Sequence, residues 1–186
     1  MFKGVLTDRD IIALAPQLIT PFDPKNVQPS SYDLTLYPEL LIPTSGAELE
    51  MDLDILEPAE HMVRVPITDR YVLKPGEAVL GATREVVNCP STLSARVEGK
   101  SSLGRIFLAV HITAGVVDAG FCGQITLEIV NHGPWSIVLK PGMKIAQLTY
   151  FPMNGECAKL YGDERLGSHY NGQHGPTPAS GRRALK

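Results

Sequence analysis

The sequence predicts an all-β domain with one short helix near its N-terminus. Short apolar or alternating segments recur along the 186 residues, and 15 prolines and 17 glycines separate them. Short strands at regular intervals, divided by turn residues, are typical of a sandwich, jelly roll or barrel. A chain of this length, 44% hydrophobic, is expected to bury the core of one domain.

The N-terminal helix is predicted from its start signal. Thr7 precedes an apolar run as a candidate N-cap, and Asp10 stands at the third helical position, where its carboxylate can bond back to the cap. Proline lacks the backbone N–H and disrupts helix interiors. Pro16 and Pro21 are therefore expected to end this helix.

The rest of the chain carries strand signals, and no later segment has a comparable helix start. Seven segments are apolar or alternate between apolar and polar residues, and turn-forming residues bound each of them, which predicts strands. They comprise residues 31–36, 70–73, 78–86, 93–97, 106–112, 124–130 and 145–151.

A weak internal repeat supports the β assignment. The pentapeptide Val-Leu-Lys-Pro-Gly occurs at 72–76 and again at 138–142, each time before an apolar strand segment. Glycine accepts the positive φ that a type II turn requires at its third position, and proline suits the second. We interpret the repeat as two similar hairpin turns in one β domain.

Charge and cysteine content narrow the functional classes. With 17 basic and 20 acidic residues the net charge is −3, which argues against a broad nucleic-acid-binding surface. No apolar run is long enough to span a bilayer, and the N-terminus lacks the apolar core of a signal peptide. Three widely spaced cysteines suit a reducing compartment. We therefore expect a cytoplasmic protein with neither a nucleic-acid nor a membrane partner.

Composition changes near the end of the chain. Residues 161–178 contain almost no aliphatic side chains and cannot form a core of their own. They are rich instead in groups that hydrogen-bond or stack, such as His169 and Gln173. A frayed tail and a lid that orders over a ligand fit this composition equally well. We divide the chain into a β domain, residues 1–160, and a C-terminal lid or tail, residues 161–186.

A polar, basic loop at residues 99–105 is the first candidate for ligand binding. Its small residues allow close backbone approach, its hydroxyls and N–H groups suit phosphate oxygens, and Lys100 and Arg105 supply positive charge. The spacing differs from that of a Walker A loop. Taken alone, such a loop is more often an ordinary solvated turn.

Two carboxylates follow this loop. Glu128 interrupts a strongly apolar segment, on the face shared with Thr126 and opposite Leu127. A buried carboxylate there would suit a general base and an exposed one would be an ordinary surface residue; the alternation permits both. Asp118, before Ala-Gly, is by itself typical of a turn. Hydrogen-bond donors suited to an anion and two carboxylates nevertheless occur within thirty residues. Together they suggest a phosphate-bearing substrate and hydrolytic chemistry.

Metal sites and nucleophilic triads find little support in the sequence. Zinc-dependent nucleobase deaminases require an H-x-E motif together with P-C-x-x-C, and neither occurs here. The five histidines show no ligand spacing, and no G-x-S-x-G motif supports a serine nucleophile. We therefore expect no zinc.

Five motifs that occur in order give the sequence a resemblance to a known family. They are QPSSYDL (28–34), GKSSLGR (99–105), TAGVVDAGF (113–121), TLE (126–128) and PGMKI (141–145). Together they resemble the dCTP deaminase family, part of the trimeric dUTPase superfamily, over nearly the whole chain. The C-terminal segment, with its GSHY, GQ and GPTP motifs, looks most like the bifunctional branch, whose members convert dCTP to dUMP and pyrophosphate.

The resemblance implies a distorted jelly roll of the dUTPase-like β-clip type with a C-terminal lid. It implies a homotrimer with its sites at subunit interfaces. It also implies zinc-free, hydrolytic deamination of dCTP, with Mg²⁺ bound through the triphosphate. The expected product is dUMP, a precursor for thymidylate synthesis.

By the same resemblance, Glu128 is the general base that activates water for attack on C4 of cytosine. Ser101 and the carbonyl of Ala114 position that water, and Arg105 orients Glu128. Asp118 binds the deoxyribose 3′-hydroxyl and helps to place the water that attacks phosphorus. The remaining substrate-binding residues are Lys100, Ser102, Leu103, Gly104, Thr126, Leu127, Gln147, Tyr161, His169 and Gln173.

Two positions depart from the family pattern and bear on specificity. His169 stands where the family commonly has Lys, so one phosphate contact lacks a permanent charge. Gly115 matches the bifunctional branch, but Val116 matches neither the aromatic residue of that branch nor the Arg of many deaminase-only members. Three alternatives stay open: a deaminase that stops at dUTP, a dUTPase, and a non-catalytic nucleotide-binding regulator.

Overall fold

The computed structural model describes residues 4–46, 49 and 58–180. In this part of the chain the helices are α1 (Asp8–Leu18) and α2 (Ser101–Gly104), with 3-10 turns at Pro24–Asn26, Pro58–His61 and Glu164–Leu166. The strands are β1 (Ile19–Thr20), β2 (Val27–Gln28), β3 (Ser31–Thr35), β4 (Glu39–Pro43), β5 (Met62–Pro66), β6 (Tyr71–Leu73), β7 (Ala78–Asn88), β8 (Leu93–Gly99), β9 (Leu108–Ala109), β10 (Val116–Val117), β11 (Cys122–Asn131), β12 (Ile137–Leu139) and β13 (Lys144–Pro152). None of the helices described is both long and apolar enough to cross a membrane.

The strands form two main antiparallel sheets. The first has the order β5-β4-β7-β11-β9, with β1 paired to β7, and the second has the order β10-β8-β13-β3-β2. Buried side chains from both sheets, such as Tyr32 and Leu148 from one and Leu127 and Ile129 from the other, belong to one hydrophobic cluster. The predicted all-β class with a short N-terminal helix is confirmed.

Helix α1 begins as predicted and ends later than predicted. The Thr7 hydroxyl accepts a hydrogen bond from the Asp10 N–H (3.4 Å), and the Asp10 carboxylate accepts one from the Thr7 N–H (3.0 Å), which completes a capping box. The helix continues through Pro16 to Leu18, so the prediction that Pro16 ends it was wrong. Ala15 and Leu18 are buried, and this packing holds the last turn although Pro16 contributes no N–H.

Six of the seven predicted strand segments form strands whose ends agree with the prediction to within two residues. The exception is 106–112, of which only β9 is a strand. Ile106 and Phe107 continue the turns of α2, because their N–H groups donate to the carbonyls of Leu103 (3.1 Å) and Gly104 (3.0 Å). Phe107 has a φ of 63°, which an extended strand does not allow. The sequence patterns also missed β4 and β5.

The two Val-Leu-Lys-Pro-Gly repeats lie side by side. Strands β6 and β12 form an antiparallel ladder in which Val72 is opposite Val138. Gly76 and Gly142, which follow these strands, have φ values of 77° and 74°, as type II turns require. The two similar type II turns are confirmed, but the prediction that they are hairpin turns was wrong. Strands β6 and β12 pair with each other in one small sheet, whereas β7 and β13, which follow the turns, belong to the two main sheets.

Replacing Thr7 with Ala is expected to lower the free energy of unfolding by about 1 kcal/mol, because the substitution removes the side-chain acceptor of the N-cap. Thr7→Ser keeps the hydroxyl and is the matched control. Urea denaturation followed by circular dichroism compares the variants under identical conditions. Equal stability of the Ala variant and the wild type would contradict a contribution from this cap.

Candidate active site

The basic loop that the sequence singled out lines a surface cleft. Lys100 is the N-cap of α2, and its extended backbone (φ −86°, ψ 136°) turns the chain from β8 into that helix. Leu103 of the helix packs partly against the core. The cleft has a volume of about 370 Å³ and is lined by Gly99, Lys100, Ser101, Gly104, Leu108, Ala109, Val110, His111 and Gln147. Four predicted site residues therefore share one cleft.

A second cavity, of about 400 Å³, lies beside α1. It is lined by Leu14, Gln17, Leu18, Pro90, Thr92, Leu93, Pro152 and Met153. None of these side chains is titratable, so it offers no group for acid–base catalysis. The cleft at Lys100 is therefore the better candidate for the chemistry.

A buried acid holds Lys100 in the wall of the cleft. Lys100 Nζ forms an ion pair with Oδ1 of Asp33 on β3, and Lys144 Nζ lies 3.2 Å from Oδ2 of the same carboxylate. The side chain of Asp33 is 3% exposed and that of Lys100 is 18% exposed. Sequence reasoning missed this contact. The available signal was a carboxylate between Tyr32 and Leu34 in a predicted strand.

Glu128 lies on β11, and the backbone orients its carboxylate. Oε2 accepts a hydrogen bond from the Ile112 N–H at 2.9 Å. Leu127 is fully buried, whereas Thr126 and Glu128 are half-buried, so the predicted alternation along the strand is confirmed. The carboxylate therefore contacts the segment that continues into Ala114, and it is neither fully exposed nor fully buried.

Steric contacts explain why residue 115 is a glycine. A Cβ atom at this position would lie 2.9 Å from the backbone oxygen of Val97, and the Val97 N–H already donates to the Gly115 carbonyl at 2.7 Å. Glycine is therefore the residue that fits here without a shift of the backbone. Val116 pairs with Arg96 on β8, and it is 66% exposed, so its side chain lies outside the core.

Asp118 and Tyr161 belong to a second cluster, at the start of the tail. The Tyr161 N–H donates to the Ala119 carbonyl at 2.8 Å, and the Tyr161 ring packs edge-on against Phe121 with centroids 5.6 Å apart. The Asp118 carbonyl accepts from the Phe121 N–H at 3.1 Å, which closes the turn. Burial raises the pKa of the Tyr161 phenol, so the hydroxyl stays protonated at neutral pH and can donate a hydrogen bond.

The tail folds back along β11 and is held there by Gln124. The Gln124 N–H donates to the carbonyl of Gln173 (3.0 Å), and Gln173 Nε2 donates to the Gln124 carbonyl (2.6 Å). The buried side chain of Gln124 accepts from the Gly175 N–H (2.5 Å) and donates to the Arg84 carbonyl (3.1 Å). Gln124 therefore ties the tail to both β11 and β7. Sequence reasoning did not single it out.

The hydroxyl of Thr126 extends this contact, because it accepts from the Thr177 N–H at 3.1 Å. Nδ1 of His169 is buried and has no hydrogen-bond partner among the residues that the structure describes. Residues 161–180 are docked on their own chain, while residues 181–186 of the predicted tail lie outside the described residues. The role of this segment as a lid over a ligand stays a prediction.

One chain does not gather the predicted site residues in a single cleft. The cleft at Lys100 contains four of them, but its lining within the described ranges includes neither Glu128 nor Asp118. Ser102 and Arg105 are exposed. Leu103 lies on α2 outside the cleft lining, and the other members lie on β11, in the segment before it, or in the tail.

Comparisons with known proteins agree with the sequence motifs. A family model described as dCTP deaminase-like matches residues 5–153. A protein of Corynebacterium jeikeium named dCTP deaminase, dUMP-forming, is 45% identical over 181 residues, which cover 94% of this chain and 95% of that protein. A protein of Nocardioides sp. with the same name is 41% identical over 189 residues, which cover 94% of each chain. The family predicted from the motifs is confirmed.

A solved structure supports the fold. The 2′-deoxycytidine 5′-triphosphate deaminase from Agrobacterium tumefaciens superposes with a TM-score of 0.66 at 24% identity, over 81% of this chain. This chain spans 48% of the length of that protein. At this identity the similarity concerns the fold.

Gln124→Ala is expected to loosen the tail, because it removes the acceptor of the Gly175 N–H. Native-state hydrogen exchange should accelerate by about fivefold at Gly175, in line with the loss of one hydrogen bond worth about 1 kcal/mol. Gln17→Ala, on an exposed position of α1, is the matched control. Unchanged exchange at Gly175 in the Gln124 variant would contradict the assignment of this side chain as the tail anchor.

Proposed function

The chain belongs to the dCTP deaminase-like family, and on that premise we propose that it deaminates dCTP with water and releases dUMP and pyrophosphate. The observation that carries the proposal is the set of relatives named for both the reaction and its product, which align with 94% of the chain. These relatives favour a dUMP-forming enzyme over a deaminase that stops at dUTP. They also favour it over a dUTPase or a non-catalytic regulator.

Glu128 is the general base of the proposed reaction. The hydrogen bond from the Ile112 N–H to Oε2 supports this role, because it fixes the direction of the carboxylate. The carboxylate takes a proton from water and transfers it to N3 of the base while the water oxygen bonds to C4 of cytosine and the C4=N3 double bond opens. The carboxylate then transfers the remaining proton of the new hydroxyl to the amino group, which leaves as ammonia when the C4–N bond breaks and C4=O forms. One water is consumed for each ammonia, and uracil remains.

The site is completed at a subunit interface of a homotrimer. Ser101 and the Ala114 carbonyl position the water, and the Arg105 guanidinium orients Glu128. Two features of the single chain support assembly between subunits: Ser101 and Arg105 are exposed, and the cleft at Lys100 is lined without Glu128 among the described residues. A neighbouring copy would bring the α2 loop of one subunit to the β11 carboxylate of the next.

The triphosphate is bound by cationic and hydrogen-bonding side chains of the cleft and the tail, namely Lys100, Ser102, Tyr161, His169 and Gln173. Mg²⁺ enters with the nucleotide, since this cation prefers phosphate oxygens and water as ligands. Within the described part of the chain, no three His, Cys, Asp or Glu side chains are grouped as metal ligands. In the proposed reaction, oxygens of the triphosphate and water are the ligands of Mg²⁺.

The nucleoside is held nearer to β11. Thr126 and Leu127 contact the base, with Gln147, Leu103 and Gly104 as further lining residues of the substrate site. Asp118 binds the 3′-hydroxyl and helps to place the second water. That water attacks the α-phosphorus, the bond to the β-phosphate oxygen breaks, and pyrophosphate leaves. Gly115 and the exposed Val116 stand beside this region as specificity residues.

We place the reaction in the cytoplasm, where its product feeds thymidylate synthesis. The three cysteines, Cys89, Cys122 and Cys157, all carry free thiols, which suits a reducing compartment. Burial raises the pKa of Cys89 to about 12, so this thiol stays protonated and unreactive.

Incubation of the protein with dCTP and Mg²⁺ is expected to release ammonia, dUMP and pyrophosphate in equal amounts. Glu128→Gln should lower ammonia release by at least about 100-fold, because it removes the general base, and should leave dCTP binding intact. Ion-exchange separation of nucleotides and calorimetric binding measure the two effects. Accumulation of dUTP would restrict the activity to deamination, and unchanged ammonia release in the variant would remove Glu128 from the mechanism.

His169→Lys is expected to lower the KM for dCTP. The lysine ammonium adds a permanent positive charge at a proposed contact with the triphosphate, which attracts its phosphate oxygens. His132→Lys, at an exposed position outside the proposed site, controls for a change of net charge. Steady-state kinetics compare the variants, and a KM for the His169 variant equal to that of the wild type would contradict a contact between this position and the triphosphate.

A further inference from the structure

Asp33 is a buried acid with more cationic partners than it needs for charge balance. Its Oδ1 pairs with Lys100, while Oδ2 lies 3.2 Å from Lys144 Nζ and accepts a hydrogen bond from Gln28 Nε2 at 3.3 Å. The carboxylate is 3% exposed. A buried charge is costly unless it is paired and hydrogen-bonded, and here one negative charge meets two positive ones. The cluster keeps a net charge of about +1, with both ammonium groups tied to one carboxylate.

The strand register places this carboxylate under the cleft. Asp33 on β3 pairs with Gln147 on β13, and Gln147 pairs in turn with Glu98 on β8. Directly paired residues of adjacent strands point to the same face of a sheet. Gln147 lines the cleft, so Asp33 stands on the same face, one strand further from β8. Lys100 reaches across from the end of β8 to meet it.

The ion pair with Asp33 restricts the conformations of the Lys100 side chain. A lysine side chain has four rotatable carbon–carbon bonds, and fixing them costs conformational entropy. Asp33 holds the ammonium in the free chain, so this cost is met before a ligand arrives. An ammonium carries three N–H donors, and one bond to Asp33 leaves the others for oxygens of a ligand.

We propose that Asp33 is a positioning residue, which fixes the Lys100 ammonium in the cleft so that it can bind the triphosphate. The inference rests on the proposed function, in which Lys100 contacts the triphosphate. Positioning and simple electrostatics predict opposite effects on polyanion binding when the negative charge of Asp33 is removed. Removing a negative charge beside the cleft would tighten the binding of a polyanion if only the field mattered, whereas loss of a positioned lysine weakens it.

Asp33→Asn is therefore expected to raise the KM for dCTP about tenfold, with kcat within about twofold of the wild type. Calorimetry with inorganic tripolyphosphate and Mg²⁺ should show a similar loss of affinity. Glu85→Gln is the matched control, because Glu85 is a buried carboxylate that accepts hydrogen bonds from the N–H and the hydroxyl of Thr35. Its KM should equal that of the wild type, and urea unfolding of both variants separates folding from binding.

A double-mutant cycle tests whether Asp33 acts through Lys100. In the Lys100→Ala background, Asp33→Asn should cause no further loss of tripolyphosphate affinity, because the ammonium that Asp33 positions has been removed. Additive losses, unchanged binding or tighter binding in Asp33→Asn would each overturn the proposal. Should the Asn variant fail to fold, Asp33→Glu keeps the charge but displaces it by one methylene, and a KM equal to the wild type would count against the proposal.

Absence of ammonia release from dCTP by the wild type would refute the proposed function. The tripolyphosphate measurement needs no turnover, so it still decides whether Asp33 supports polyphosphate binding by Lys100.

Discussion

The alternation of side chains along β11 is the constraint on which the core and the candidate site both depend. Leu127 and Ile129 are fully buried. Glu128, between them, lies on the opposite face of the strand, where its carboxylate accepts a hydrogen bond from the Ile112 N–H. Because the side-chain period of a strand is two, a register shift of one residue would turn Glu128 into the core and the leucine outward. The antiparallel pairing of β11 with β7, in which Glu128 is opposite Leu80, prevents this shift. Burial of two apolar residues thus fixes the direction of a carboxylate.

Two buried acids show how the interior handles charge. Glu85 accepts hydrogen bonds from the N–H (2.9 Å) and the hydroxyl (2.7 Å) of Thr35, and burial raises its pKa. Asp33 lies on β3, two residues before Thr35 and on the same face of the strand, but its carboxylate contacts two ammonium groups. A neutral partner satisfies hydrogen bonds, whereas a cationic partner also balances charge. The two carboxylates are therefore suited to different tasks, structural support at Glu85 and orientation of a basic side chain at Asp33.

A register irregularity in β11 prepares the strand for the tail. The pairing with β7 shifts between Gln124 and Thr126, and the Ile125 N–H bonds to the Thr83 hydroxyl at 2.9 Å. A bulge of this kind re-aims neighbouring groups. The Gln124 N–H is thereby paired with the carbonyl of Gln173, and the tail adds its backbone to the strand. A segment too polar to form a core obtains its order from an existing sheet.

Signals within a few residues were sufficient for the capping box at Thr7, the type II turns after β6 and β12, the alternation around Glu128 and the basic loop at Lys100. Ordered motifs identified the family. Only the tertiary structure decided that Asp33 meets Lys100, 67 residues away, and that Gln124 meets Gln173, 49 residues away. It also extended α1 past Pro16 and ended the predicted strand at Phe107. Local propensity reflects the conformational preferences of neighbours, whereas contacts between distant residues depend on which surfaces the whole chain buries.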